Sequence, residues 1–212
     1  MQDAVLDIDQ WYVDCGQHVF LYGPSGSGKS TLLNILAGIL KPQRGRVNLL
    51  GEDLAALSSR KRDQFRAQHI GVIFQQFNLV PYLSVLENIL LAAHFANKPT
   101  IDVRQRAITL LRLLNLSDDL LGQRADTLSV GQQQRVAIVR ALINQPEILI
   151  ADEPTSALDS DTRDQFIQLL LDCVTESGTT LIFVSHDKSL MSHFNQTLNL
   201  RELNQSNFCN AA

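Results

Sequence analysis

The sequence predicts an α/β protein with a largely parallel sheet and an inserted helical segment. Three observations predict it. Short β-prone apolar runs alternate with amphipathic helical patterns in the first and last thirds of the chain. The first of these runs leads straight into a glycine-rich loop and then a helix. The middle third, about residues 76 to 144, is instead a series of helical patterns separated by short breaks.

Taken in order, Val19 to Tyr22 is the first strand and ends at Gly23. Leu32, Leu33, Ile35, Leu36 and Ile39 then recur at helical spacing, until Lys41-Pro42-Gln43-Arg44-Gly45 stops the helix. Val47 to Leu50 predicts a strand closed by Gly51, residues 54 to 68 a charged helix, and Ile70 to Phe74 an apolar strand. Ser84-Val85-Leu86-Glu87 is a capping box that opens a helix through Ala96. Asp102 with Gln105 caps another, whose apolar stripe is Val103, Ala107, Leu110, Leu111 and Leu114. Ile148 to Ala151 is a strand. Ser160 to Glu176 is a helix with Phe166, Ile167, Leu170 and Val174 on one side, and Gly178 is its stop. Thr180 to Val184 is a further strand.

Composition bounds the answer. At 212 residues, 45% hydrophobic and 19% charged, the chain is expected to be one folded domain with a sizeable core. Lys plus Arg number 18 against 22 Asp plus Glu, a net charge of −4, which gives no support to an electrostatically driven nucleic-acid binder. The longest strictly apolar runs, Ile89 to Ala93 and Ile148 to Ala151, fall far short of the roughly 18 residues that span a bilayer. Cys15, Cys173 and Cys209 are widely spread, without CxxC or zinc spacing, and read as reduced thiols. Reduced thiols fit a reducing cytoplasm, and no basic-then-apolar leader opens the sequence. There is no internal repeat.

The chemistry begins at Gly23-Pro24-Ser25-Gly26-Ser27-Gly28-Lys29-Ser30, a complete G-x-x-x-x-G-K-[ST] pattern between a strand and a helix. Glycines let successive backbone N–H groups wrap a phosphate chain, and the following helix adds its positive end. Lys29 is placed to neutralise β and γ phosphates, and the Ser30 hydroxyl to ligate Mg²⁺. By itself the pattern leaves kinases, GTPases and motors open. Ile148-Leu149-Ile150-Ala151-Asp152-Glu153 is an apolar strand that delivers two carboxylates to the sheet edge where phosphate loops lie. Asp152 can hold Mg²⁺ through water, and Glu153 can polarise an attacking water, unless either only caps the turn at Pro154. Ser129 with Gln132 is a second capping box in Leu128-Ser129-Val130-Gly131-Gln132, making a second anion site at a helix start. One triphosphate does not need two such sites in one chain, so this one is expected to face the nucleotide of another copy, unless it is only an ordinary capped helix start.

These segments together resemble an ATP-binding cassette (ABC) nucleotide-binding domain over nearly the whole chain. Gly23 to Ser30 is similar to its Walker A, Leu128 to Gln132 to its LSGGQ signature, and Ile148 to Glu153 to its Walker B. Ser156-Ala157-Leu158-Asp159 is similar to the D-loop, Gln75 to the Q-loop glutamine, and His186 to the switch histidine. The resemblance implies a P-loop NTPase (RecA-like) core over 1–75 and 145–212, with a small antiparallel β part. It also implies a helical subdomain over 76–144, within a single domain. ATP would be held by Gly23 to Thr31 and Gln75, with Ser30, Gln75 and Asp152 around Mg²⁺. Lys29, Glu153 and His186 would serve catalysis, with His186 at the γ-phosphate. Ser129, Gly131 and Gln132 would contact ATP in trans, and Asp159 would communicate across a head-to-tail homodimer.

Two departures stand out. Val130 occupies a signature position that is usually glycine, and a β-branched residue there would be strained if φ were positive. Ser129 and Gly131 are expected to make the contacts, with Val130 tolerated. The family's adenine-stacking aromatic lies well upstream of Walker A. Only 22 residues precede Gly23 here, and Trp11 and Tyr12 are too close to serve, so either the chain starts short or adenine is held less specifically, and Trp11 is expected to pack. Glu52 to Gln68, Ile73 to Pro81 and Leu86-Glu87-Asn88 resemble the LolD/MacB/FtsE-type group, whose ATPases pair with permeases acting on substrates outside the cytoplasm. That implies an ATPase subunit on the cytoplasmic face of the inner membrane, docking an integral-membrane permease along Gln75 to Ala96. Phe77, Leu79, Val80, Pro81 and Tyr82 are either its apolar contact or local core. A soluble ABC protein of DNA repair, chromosome structure or translation is the competing class, but one cassette without heptads argues against it. A cassette that binds ATP and turns over slowly also remains an alternative.

Overall fold

The computed structural model describes residues 4–98, 100–156, 158 and 160–206. Five strands form one parallel sheet: β1 (His18–Tyr22), β4 (Ile70–Ile73), β5 (Ile148–Asp152), β6 (Thr180–Val184) and β7 (Gln196–Asn199), in the spatial order β4-β5-β6-β1-β7. Side chains of the central strands alternate between two apolar layers, as the period of two requires. Phe20, Leu149, Ala151, Leu181 and Phe183 face one layer. Leu21, Ile148, Ile150, Ile182 and Val184 face the other. A sheet buried on both faces reads as continuous apolar runs, which is why β1, β5 and β6 are so visible in the sequence.

Helix α1 (Lys29–Leu36) covers the second layer with Leu32, Leu33 and Leu36. The first layer receives α3 (Val85–Phe95), α4 (Thr100–Leu113), α5 (Val130–Leu142) and α6 (Ser160–Ser177). Both capping boxes form: the Ser84 and Ser129 hydroxyls accept from the Glu87 and Gln132 backbones, and the Glu87 and Gln132 side chains accept in return. The whole α4 stripe is buried, as are Phe166, Ile167, Leu170 and Val174 of α6. Gly178 stops α6 with φ +66°.

Several expectations need correcting. Val47 to Leu50 yields only the two-residue β2 (Asn48–Leu49), paired antiparallel with β3 (Glu52–Asp53). The turn between them has positive φ at both Leu50 and Gly51, which the twist of a tight hairpin demands. The charged helix α2 (Ser59–His69) starts later than residue 54, because the Ser58 side chain caps it by accepting from the Lys61 N–H. Strand β4 ends at Ile73, before Phe74. Helix α4 begins at Thr100, so Asp102 lies in its first turn, near the positive helix end, rather than capping it. Neither β7 nor the short α7 (Leu200–Leu203) was expected. The edge strand β7 is mostly partly exposed and has a weak apolar pattern.

One glycine is required by packing. A Cβ on Gly71 of β4 would stand 2.5 Å from the Ala141 carbonyl oxygen of α5 and 2.9 Å from Leu149. Backbone cannot yield as a flexible side chain would. Gly71→Ala is expected to cost about 2–3 kcal/mol, read as a lower midpoint in urea unfolding. An unchanged midpoint would show that β4 and α5 are not so closely packed.

Candidate functional site

Because the strands are parallel and in register, with Ile73 opposite Ala151, Asp152 opposite Val184 and Leu21 opposite Val184, their C-terminal ends form one edge. Loops 23–30, 74–78, 153–156 and 185–187 all leave from that edge, where ligands of open α/β sheets bind.

The loop Gly23 to Ser30 turns on two left-handed glycines, Gly26 (φ +79°) and Gly28 (φ +95°). Gly28 is the N-cap of α1, and a Cβ there would lie 2.7 Å from Leu6. The Lys29 ammonium donates to the carbonyls of Gly23 (2.6 Å) and Pro24 (3.0 Å), which holds it beside the loop. Pro24, Ser25, Gly26 and Ser30 are exposed, Thr31 is half-buried, and Ser27 is buried.

At the end of β5, burial and then the neighbouring Glu153 charge push the Asp152 carboxyl above its ordinary pKa, while the Lys29 ammonium acts the other way. Glu153 has a left-handed backbone (φ +47°), and its N–H donates to Val184 (2.9 Å). Its Oε2 accepts from the Ser185 hydroxyl (3.1 Å) and from His186 Nδ1 (2.9 Å). A carboxylate accepts only, so Nδ1 is the protonated nitrogen of His186. Buried Ser185 also accepts from the Asp187 N–H (3.1 Å). Two hydrogen bonds from Ser189 come first among the causes that hold the Asp187 carboxyl below its ordinary value, with Arg163 and His186 adding to them. Glu153 and His186 are therefore brought together, and Lys29 and Asp152 lie close enough to interact. Ser185, which the sequence reading passed over, joins them. A hydroxyl one residue before the histidine was the available signal.

Gln75 follows β4 and is exposed. Asn88, 1% exposed, ties down the chain beyond it: its Oδ1 accepts from Val80 N–H (2.7 Å), and its Nδ2 donates to Val80, Leu83 and Ser84 carbonyls. At α5, Ser129 and Gln132 hydrogen-bond each other. Val130 is the first helical residue and half exposed, with no positive φ, so the strain considered for it does not arise. Gly131 has no positive φ, and among the described residues beyond its chain neighbours and the local helix backbone no atom lies within 4 Å of an added Cβ. Asp159 and Ala157 lie outside the described residues.

The apolar cluster 77–82 divides. Phe77 is buried, Leu79 and Val80 are half-buried, and Pro81 and Tyr82 are exposed. Beyond it, Leu83, Glu87, Leu90, Leu91 and His94 line a groove of about 290 Å³, and Phe95 is 68% exposed on the same helix. Trp11 packs against the second apolar layer, and Tyr12 is exposed. No helix among the described residues is long and apolar enough to cross a membrane.

Known proteins resemble this chain in sequence and in fold. The family model described as ABC transporter matches residues 6–156. The chain is 44% identical over 185 residues to the lipoprotein-releasing system ATP-binding protein LolD 1 of Rhodopirellula baltica, covering 87% of this chain and 80% of that one. It is 40% identical over 199 residues to the macrolide export ATP-binding/permease protein MacB of Burkholderia thailandensis, covering 94% of this chain but only 30% of that protein. The dimeric structure of MJ0796, described as a bacterial ABC transporter cassette, superposes with a TM-score of 0.83 at 38% identity, covering 92% of this chain and 85% of that one. The same cassette is also known in a dimeric post-hydrolysis state bound to ADP and Pi. Over most of its length, then, the chain belongs to the ABC transporter family, as one of its ATP-binding, ATP-hydrolysing cassettes.

Proposed function

We propose that two copies of this chain bind two MgATP head to tail and hydrolyse them to drive an integral-membrane permease of the lipoprotein-release or export type. The observation that carries this reading is the convergence of the Gly23–Ser30 loop, Gln75, Asp152–Glu153 and His186 on one sheet edge. Gly23 to Thr31 cradle the phosphates through backbone N–H groups, and Lys29 exchanges its two carbonyl partners for β and γ oxygens. The hydroxyl of Ser30, the amide oxygen of Gln75 and the Asp152 carboxylate form a hard, all-oxygen donor set that suits Mg²⁺. When bound, that ion neutralises charge developing on the phosphates.

Glu153 accepts the proton of the attacking water. Both hydrogen bonds to its carboxylate fall on Oε2, which leaves Oε1 to receive that proton and keeps the side chain in one orientation. His186, 71% exposed at its side chain, reaches the γ-phosphate while Nδ1 stays on Glu153. Ser129, Gly131 and Gln132 complete the site of the partner copy, and Asp159 communicates across the dimer. Among the described residues, none beyond the local helix backbone and the two chain neighbours reaches the space at Gly131, which supports close approach by another molecule. The permease docks on the groove beside Tyr82, Leu91 and Phe95 within 75–96, placing the cassette on the cytoplasmic face of the inner membrane.

A dimeric active site makes turnover depend on encounter. ATPase activity per mole of chain is expected to rise with protein concentration at saturating MgATP, until dimerisation is complete. Activity strictly proportional to protein, down to nanomolar dilution, would sink the two-copy site.

A further inference from the structure

Among the described residues, seven non-glycine residues have positive φ. Asn97, Asn115 and Gln145 end α3, α4 and α5, and Leu50 turns the β2–β3 hairpin, all common uses of that conformation. The other three are Phe77 (+53°), Asn78 (+49°) and Glu153 (+47°). They sit just beyond Gln75 and at the proposed base itself. Backbone held in this region costs free energy and persists only where its surroundings over-determine it.

Beyond the bonds these loops make locally and to β6, one helix reaches both loops. Arg140 of α5 donates Nη1 to the Asn78 carbonyl (2.5 Å) and Nη2 to the Phe77 carbonyl (2.6 Å). Gln134 of α5, 1% exposed, donates its amide to the carbonyl of Pro154, directly after Glu153. The guanidinium fork matches two successive carbonyls, and bonds from a charged donor are the stronger kind. At 1% exposure, Gln134 is shielded from the bulk solvent that could otherwise replace that bond.

We infer that α5 is a two-point clamp, in which Arg140 sets the loop carrying Gln75 and Gln134 sets the loop carrying Glu153. They are positioning residues: each acts through a backbone carbonyl. The same helix begins at Ser129, and about 16 Å of helix separates Ser129 from Arg140 at 1.5 Å per residue. A displacement of the Ser129 end is therefore carried by a stiff element to both loops. On the reading that Ser129 to Gln132 contact the partner copy's nucleotide, α5 makes each copy's Gln75 and Glu153 answer to whether the opposite site is filled. The inference rests on that reading.

The test uses the full chain with Arg140→Lys, which keeps the charge but reaches only one carbonyl, and Gln134→Met, which keeps volume but lacks the donor. Amide hydrogen exchange without nucleotide is expected to accelerate at least tenfold over residues 75–80 alone in the first variant and over 152–156 alone in the second. Each is expected to lose about tenfold in kcat, with affinity for a non-hydrolysable ATP analogue within twofold. Unchanged exchange in these loops, exchange raised evenly across the chain, or local loosening with full kcat would each overturn the clamp. If one variant fails to fold, the other decides, because the two contacts are independent. Failure of the head-to-tail reading would show separately, as a Glu153→Gln variant that stays monomeric in MgATP whatever the exchange pattern.

Discussion

Glu153→Gln is expected to lower ATP turnover about 1,000-fold, the middle of the range for a lost general base, while ATP stays bound. The substitution is nearly isosteric, and the new amide oxygen can still accept from Ser185 Oγ and His186 Nδ1. The bond from the backbone N–H of residue 153 to Val184 does not involve the side chain. What disappears is the capacity to take a proton from water. Without hydrolysis, two copies remain closed around two ATP, and size-exclusion chromatography with light scattering should report a dimer in MgATP and a monomer without it. A monomer under both conditions would argue against the head-to-tail site, and full turnover would argue against Glu153 as base.

Lys29→Ala is expected to weaken ATP binding about 100-fold, the upper range for one lost hydrogen-bonded charge. The ammonium sits at the start of the phosphate loop, within reach of the Gly23 and Pro24 carbonyls. The positive end of α1 and the backbone N–H groups of the loop stay in place, so residual binding should persist. The variant also loses two bonds that tie the loop to its helix, and a small fall in thermal midpoint is expected alongside. Isothermal titration with ATP checks the first effect. Wild-type affinity in the variant would remove the phosphate loop from the site.

The parts of the site that could be read in the sequence are those with a local cause. Gly26 and Gly28 mark left-handed backbone, and Ser84/Glu87 and Ser129/Gln132 are three residues apart because a helix start requires it. The stripes of α4 and α6 follow from 3.6 residues per turn. Boundaries were less legible: Asp102 looks like a cap by type, but helix α4 had already begun at Thr100. Strand β7 left little trace, since an edge strand needs apolar side chains less than the central strands do. Gln75 and His186 were singled out only through resemblance to a family, because a lone glutamine or histidine after a strand has no local signature.

By itself, then, the sequence determined the phosphate loop, the two capped helix starts, the apolar strands and, by their order, the family. These depend on dihedral preferences and on neighbours three or four residues away. The tertiary structure decided which of them meet. Glu153 and His186 are 33 residues apart and share a hydrogen bond because β5 and β6 pair in parallel and end in register. Ser185 reaches the same oxygen, and Arg140 and Gln134 reach carbonyls 63 and 20 residues away. The strand order β4-β5-β6-β1-β7 is set by how whole faces are buried, a non-local choice that no short stretch of sequence encodes.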